Sequence, residues 1–318
     1  MLTVTLRSFQ FHLLVAVSTT LMSAQTPRFR DYVPLGVNLS HQTIPIWNGG
    51  GLAILPRDSV ATATIRFIGL TGGESTPIIF TLPGASSIKI FSAAQAQDGW
   101  TVLSGMAYDR EGRGGGFVSI ISSDRQSVTT IQAFPYCPYF ARFSPDGSVW
   151  TLGIEMIKAN PDAKAIQQDH ALVRHFDREG KKIGSYIPKN GLSEIPAFAL
   201  VNDVMSGLFM VCKDRVGWYA SRAGRYFELS PTGLLTQYPG IPNSPDSDPV
   251  SGMALTDSGA TMVSANRVYS LDRKSRTWSV VTLPGGSART DAVIFGGSGD
   301  VIATDDKDLR DMLFFEIK

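Results

Sequence analysis

The sequence predicts an all-β chain built from repeated four-stranded antiparallel units, and three observations carry that expectation. Extended runs end in proline at a near-constant interval, and tight glycine turns fall between those prolines. Apolar spacing at three and four residues is almost absent, whereas short runs rich in Val, Ile, Phe, Thr and Trp recur between turn signals. A unit of four strands repeated at roughly 40 to 50 residues cannot cover both of its apolar faces alone and must stack on copies of itself in a ring. The expected architecture is a six-bladed β-propeller.

The proline-ended runs are IIFTLP at Pro83, TTIQAFP at Pro135, IGSYIP at Pro188, LLTQYP at Pro239 and SVVTLP at Pro284, separated by 52, 53, 51 and 45 residues. Proline has no backbone donor for a ladder and fixes its own φ, so it suits the end of an outer strand where the chain leaves a sheet. Turns are expected around Gly50, Gly99, Gly147, Gly207, Gly259 and Gly299, several with an acidic neighbour such as Asp98, Asp146 or Asp300, because Asp and Gly close hairpins at low cost. First strands are expected in IKIFSAA, YFARFS, AFALV, GMALT and DAVIF, and second strands in WTVLSG, SVWTLG, LFMVC, ATMVS and VIAT. Third strands are expected in GFVSIIS, ALVRHF, RYFEL, RVYSL and MLFFEI. The last unit runs out of chain after three strands. FRDYVP, 49 residues before Pro83, has the outer-strand form, so Phe29 to Val33 is expected to complete the C-terminal blade and close the ring.

Residues 1–24 read as a secretory signal peptide, with Arg7, an apolar run from Phe11 to Met22 and the small pair Ser23 and Ala24. That run is too short and too interrupted to span a bilayer. The expectation is a single propeller domain over 25–318, secreted or periplasmic, monomeric and without a membrane span.

Twenty-nine Lys+Arg against 28 Asp+Glu leave a formal charge of +1, which argues against nucleic acid as the main partner. Two cysteines cannot make a disulfide framework or a four-sulfur zinc site. Cys137 and Cys212 are expected on a first and a second strand of adjacent blades, by default as isolated thiols, with a bridge left open. Neither a G-x-S-x-G elbow nor a phosphate-binding G-x-x-x-x-G-K-[ST] loop occurs, and His41, His170 and His175 lack metalloprotease spacing.

The turn fragments FSPDGSVW, HFDREGKK and LSPTGLLT resemble those of six-bladed propellers of the NHL and SMP-30/gluconolactonase type, over roughly the whole of residues 25–318. Hydrolases of the SMP-30 kind hold a divalent cation in the channel through Glu, Asn and Asp. Asn48, Glu194, Asn202, Asp203 and Asp291 offer oxygen ligands for Ca²⁺ or Mg²⁺ but do not reproduce that set one for one. Recognition of a protein, glycan or small ligand without catalysis is therefore the first expectation, and a metal-dependent lactonase or hydrolase the alternative.

In such a ring the loops joining second to third strands, and fourth to next-first strands, gather on one face. Arg110 and Arg113, then Arg215, Trp218, Tyr219, Arg222 and Arg225 within Asp214 to Arg225, and Arg267 are expected there as a ligand-binding set. Forked guanidinium bonds and aromatic stacking would hold an anionic or polar ligand. Trp100, Trp150 and Trp278 are expected to pack between blades.

Overall fold

The computed structural model describes residues 27–34, 43–47, 51–69, 74–155, 171–188, 190–201, 208–213, 215–242, 250–255, 259–264, 267–282, 295–296, 301–305 and 311–317. The first described strand is β1 (Pro27–Pro34). Consecutive strands then form antiparallel sheets. The first holds β2 (Thr43–Trp47), β3 (Gly51–Pro56), β4 (Ala63–Gly69) and β5 (Ile78–Phe80). The next holds β6 (Ser87–Gln95), β7 (Thr101–Tyr108), β8 (Gly114–Ile121) and β9 (Val128–Gln132). A third comprises β10 (Tyr136–Phe143), β11 (Val149–Glu155), β12 (Ala171–Phe176) and β13 (Lys182–Pro188). After the short pair β14 (Gly191–Leu192) and β15 (Ile195–Pro196) and the single-turn helix α1 (Ala197–Leu200) comes the sheet of β16 (Phe209–Cys212), β17 (Arg215–Ala220), β18 (Arg225–Leu229) and β19 (Leu235–Tyr238). β20 (Val250–Leu255), β21 (Gly259–Ser264), β22 (Arg267–Asp272) and β23 (Thr277–Thr282) make another. β24 (Phe295–Gly296), β25 (Val301–Asp305) and β26 (Asp311–Ile317) pair in order, and β1 lies antiparallel beside β26. The fold is an all-β propeller of four-stranded antiparallel blades.

Consecutive residues of a strand point to opposite faces, so a sheet covered on both sides needs apolar side chains in both registers. β8 shows this directly: Phe117 packs toward the β2–β5 sheet, and Val118 toward the β10–β13 sheet. Phe140 and Ala141 in β10, Phe209 and Met210 in β16, and Trp218 and Tyr219 in β17 divide in the same way. The described core consequently lies in layers between successive sheets. One layer joins Phe67, Phe80, Ile90 and Phe117; another joins Trp150, Phe209, Trp218 and Phe227; a third joins Tyr226, Met253, Met262 and Tyr269. This double burial is why the strands read as continuous apolar runs instead of alternating ones.

The turns repeat one design. In Ser144–Ser148, Asp177–Lys181 and Ser230–Leu234 the first residue's amide donates to the fifth residue's carbonyl at 2.8, 2.9 and 3.0 Å, with glycine fourth at φ of +85°, +85° and +84°. These are the fragments that carry the sequence resemblance. Side chains from the β8–β9 and β22–β23 turns and from β23 itself clasp the preceding sheet. Arg125 donates to the carbonyls of Thr76 and Pro77 at 2.7 and 3.0 Å, Arg276 to Gln237 O, and the Trp278 indole to Pro239 O at 2.9 Å. The Arg273 Nε lies 2.8 and 2.9 Å from the two oxygens of the buried Glu228, which also accepts from Tyr226 Oη at 2.7 Å.

Several expectations are corrected. AFALV is not a first strand: after Pro196 the run closes one helical turn, with the Val201 amide donating to Ala197 O at 3.1 Å. Ala and Leu favour helix, and a short apolar run has no periodicity to distinguish the two states. LFMVC therefore supplies the first strand, β16, so Cys212 lies on a first strand, and RVGWYA is the second strand and not a loop. Cys137 and Cys212 are not joined in a disulfide. Gly259 opens β21 instead of sitting in a turn. The expected signal peptide and the turns at Gly50, Gly207 and Gly299 lie outside the described residues. Among the described residues no helix is long and apolar enough to cross a membrane.

The Glu228 cluster supplies a stability test. Replacing Glu228 by Ala leaves the Arg273 guanidinium, 12% exposed, without its carboxylate, and is expected to cost about 3 kcal/mol in urea unfolding. Glu111→Ala, which breaks a solvent-exposed pair with Arg113, is expected to leave the midpoint unchanged.

Candidate functional site

A cavity of about 460 Å³ opens where the β6–β7 and β10–β11 turns meet the inner strand β16. Three successive sheets build its wall. β6 and the residues after it contribute Ala94, Gln95 and Asp98; β10 and its turn contribute Arg142, Ser144 and Pro145; β16 contributes Met210 and Val211. Arg178, in the turn between β12 and β13, completes the rim.

Arg142 is the unusual member, a cation within the otherwise apolar strand β10 and only 3% exposed. Its Nη1 donates to Ser92 Oγ at 2.6 Å and to Ala141 O at 2.9 Å, which fixes the plane of the fork. Burial pushes its pKa down to about 10, which still leaves it charged at neutral pH. Arg178 pairs with Asp98 Oδ2 at 2.7 Å, donates through Nε to Gly147 O at 3.2 Å, and covers the Trp100 ring at 5.1 Å. A Cβ on Gly147 would overlap the Arg178 guanidinium, so the turn glycine is what lets Arg178 cross it.

Beside the cavity, Ser148, Asp146 and His175 form a short chain. Ser148 Oγ donates to Asp146 Oδ1 at 2.6 Å and lies 2.7 Å from His175 Nε2, whose ring stacks on Trp150 with centroids 3.8 Å apart. Ser148 Oγ thereby stands between the Asp146 carboxylate and the His175 ring. Burial lowers the His175 pKa against the opposing pull of Asp146. Burial would raise the Asp146 pKa, but bonds from Ser148 and Ser144 and the nearby His175 outweigh it and hold the carboxyl below its usual range.

The residues expected to bind ligand divide into separate groups. Arg110 is exposed in the β7–β8 turn, where Arg113 pairs with Asp109 at 2.6 Å and Glu111 at 2.7 Å. Arg222 and the exposed Arg225 flank the β17–β18 turn, and Arg222 donates to the carbonyl of Phe198, which is 64% exposed. Arg267 opens β22 at the same end of its blade. Arg215 does not join them: it starts β17, five residues and about 17 Å of strand from the β17–β18 turn, and lies 3.5 Å from Glu228.

Trp218 and Tyr219 are corrected too. Both are buried within β17, with Trp218 stacked on Phe227 and donating to Leu200 O at 3.1 Å, so neither ring is available to a ligand. Trp150 and Trp278 pack between sheets as expected. Of the oxygen-ligand candidates, Asn48, Asn202, Asp203 and Asp291 lie outside the described residues, as do His41 and His170, and Glu194 is exposed in the β14–β15 turn. Among the described residues no three His, Cys, Asp or Glu side chains gather as a metal cluster. Sequence reasoning missed Arg142, although a lone arginine inside YFARF was a visible signal.

No protein-family model matches the chain, and no curated protein matches it. Among solved structures it is similar to the Pan2 WD40 domain of Neurospora crassa, with a TM-score of 0.53 and 8% identity over 93% of this chain and 96% of that one. It is also similar to a virginiamycin B lyase from Staphylococcus aureus, with a TM-score of 0.50 and 12% identity over 92% of this chain and 100% of that one. At these identities the likeness is one of fold.

The Asp146–Ser148–His175 chain predicts a sign for acid sensitivity. With its pKa lowered in the fold, His175 takes up a proton more readily in the unfolded chain, so its contribution is full above about pH 6.5 and declines as pH falls below that value. Asp146 contributes above about pH 3.8 and loses its contribution as pH falls through its lowered folded value. Urea unfolding at stepped pH is expected to show a shallower decline below pH 6.5 for His175→Gln than for the unaltered protein.

Proposed function

We propose that the chain is an exported, monomeric six-bladed propeller that recognises a protein, glycan or small ligand without catalysis, and that the ligand seats in the cleft between β6, β10 and β16. The observation that carries this reading is the cleft itself, where three sheets bring guanidinium, carboxamide and hydroxyl groups around a space within the usual ligand-pocket range.

Six blades are supported by the six four-stranded sheets among the described residues, five of whose inner strands, β6, β10, β16, β20 and β24, neighbour one another in succession. Closure by the N-terminal strand is supported by its register with β26, from Pro27 opposite Ile317 to Pro34 opposite Asp311. Membership of the NHL and SMP-30 type rests on the shared turn fragments, and export on the run from Arg7 to Ala24. Arg110, Arg113, Arg222, Arg225 and Arg267 would form a second contact rim at the opposite end of the ring, with Phe198 as its exposed apolar member.

Two experiments test the proposal. In a thermal-shift screen of small polar ligands and of Ca²⁺ and Mg²⁺, at least one organic ligand is expected to raise the melting temperature. Gln97, between Gln95 and Asp98, is an exposed member of the same lining, and Gln97→Trp is expected to abolish that rise; stabilisation by the metal ions alone would favour the hydrolase. Deleting residues 29–33 is expected to lower the melting temperature by 10 °C or more, on the order of the loss of several kcal/mol; unchanged melting would contradict closure.

A further inference from the structure

We infer that the free inner edges of β6 and β10 carry an aromatic subsite, Phe91 with Tyr139, and that the ligand is a neutral saccharide of two or more rings. One ring stacks on that pair and the next is bonded by the carboxamides of the cleft. The inference rests on the reading of the cleft as the ligand site and adds the ligand's class.

The backbone supplies the first argument. In β6, Ile90 lies opposite Gly105 and Ser92 opposite Ser104, which leaves Phe91 between them as an extra residue. In β10, Pro138 lies opposite Gly153 and Phe140 opposite Leu152, which leaves Tyr139. Such a bulge re-aims a side chain by interrupting the ladder. The glycines opposite are fitted to it: a Cβ on Gly105 would overlap the Lys89 carbonyl, and one on Gly153 the Cys137 carbonyl. Two neighbouring blades therefore use the same device four residues from the end of the inner strand, and each presents an aromatic ring with it.

The direction of the rings is the second argument. Tyr139 meets Phe91 of the preceding sheet edge to face, with centroids 5.6 Å apart and planes at 86°. It also packs against the layer beyond β10 that holds Phe140 and Phe209. A ring that touches the layers on both sides of its own sheet passes around the sheet's free edge. On β10 that edge lines the central channel. Both rings are half-buried. An edge-to-face pair covers one face of one ring, and the electron-rich faces that it leaves suit the polarised C–H bonds of a sugar ring.

The third argument concerns the polar groups nearby. Phe91 stands three residues before Ala94, and Tyr139 three before Arg142, so the pair lies about 10 Å of strand from the cleft. The cleft's charged groups are already engaged: Arg178 holds Asp98 at 2.7 Å, and Arg142 is bonded to Ser92 and to the Ala141 carbonyl. The carboxamide of Gln95, whose Nε2 reaches Gly99 O at a long 3.5 Å, and that of the exposed Gln97 are better placed to meet a ligand. A carboxamide offers two donors and an acceptor without charge, which matches neighbouring hydroxyl groups. Aromatic faces at one level and carboxamides at the next fit a molecule that is apolar on its ring faces and hydroxylated around them. The distance between the two levels calls for more than one ring.

Isothermal titration of the full chain with cellotriose, maltotriose, mannotriose, glucose and benzyl alcohol tests this. At least one trisaccharide is expected to bind, with glucose and benzyl alcohol at least tenfold weaker. Phe91→Leu keeps an apolar side chain but removes the ring, and is expected to weaken the trisaccharide at least tenfold, whereas Phe91→Tyr is expected to retain binding. If Phe91→Leu does not fold, saturation-transfer NMR on the unaltered protein decides: irradiation of the aromatic protons is expected to reach the C–H protons of one sugar ring most strongly. Uniform transfer over all rings, binding unchanged in Phe91→Leu, or benzyl alcohol bound as tightly as the trisaccharide would overturn the inference. So would a failure of every saccharide to bind. If an organic ligand still raises the melting temperature and loses that effect with Gln97→Trp, the cleft remains the site and the saccharide alone is overturned. No saccharide binding together with no rise from any organic ligand would overturn both.

Discussion

A four-stranded sheet with apolar side chains on both faces is stable only when a neighbour covers each face, and the rest of this structure follows from that requirement. Phe117 and Val118 in β8, or Trp218 and Tyr219 in β17, face opposite layers and are buried in both. Fully burying one large apolar side chain contributes roughly 1.5 to 3 kcal/mol. No sheet can collect that gain on its own, since removing a neighbour exposes an entire layer. The requirement also accounts for the proposed closure: an unclosed arc would leave one apolar face open at each end, whereas β1 beside β26 ties the termini into one sheet.

The clasps add direction to that burial. Arg125, Arg273 and Arg276 reach from the turns of one sheet to the preceding sheet, and Arg178 does so through Asp98. Directed bonds at the turns fix how each sheet is rotated against the last, which non-directional apolar contact alone does not do. The cleft benefits, because its wall spans three sheets and its shape depends on their mutual rotation. A site built on strands that are clasped in this way is preformed, so a ligand loses little affinity in ordering it.

Much of the fold was legible because its signals are local. The turns FSPDGS, FDREGK and LSPTGL each need a positive-φ residue fourth in the turn, and glycine announces it. Proline follows the outer strands for an equally local reason: β1 and β13 end on it, and β5, β9, β19 and β23 end one to three residues before it. What was illegible depended on tertiary context. AFALV has the composition of a strand or a helix, and taking it as a strand displaced β16 by one position and turned β17 into a loop. From that single shift came the placement of Arg215, Trp218 and Tyr219 among ligand-binding residues, when two are buried and the third sits at the other end of the strand. Arg142 was hidden for the converse reason. Its neighbours in the chain are apolar, and only the approach of Ser92 from the adjacent sheet reveals that it is held at the edge of a cavity.

Hydrogen exchange followed by mass spectrometry tests the central claim most directly, because it reads each strand's protection without altering the chain. If every sheet is held by neighbours on both sides, amides in 27–34 and 311–317 should exchange as slowly as those of β7 and β12, through one common opening. Exchange of those two segments at the rate of unstructured peptide, with β7 and β12 still protected, would contradict the account.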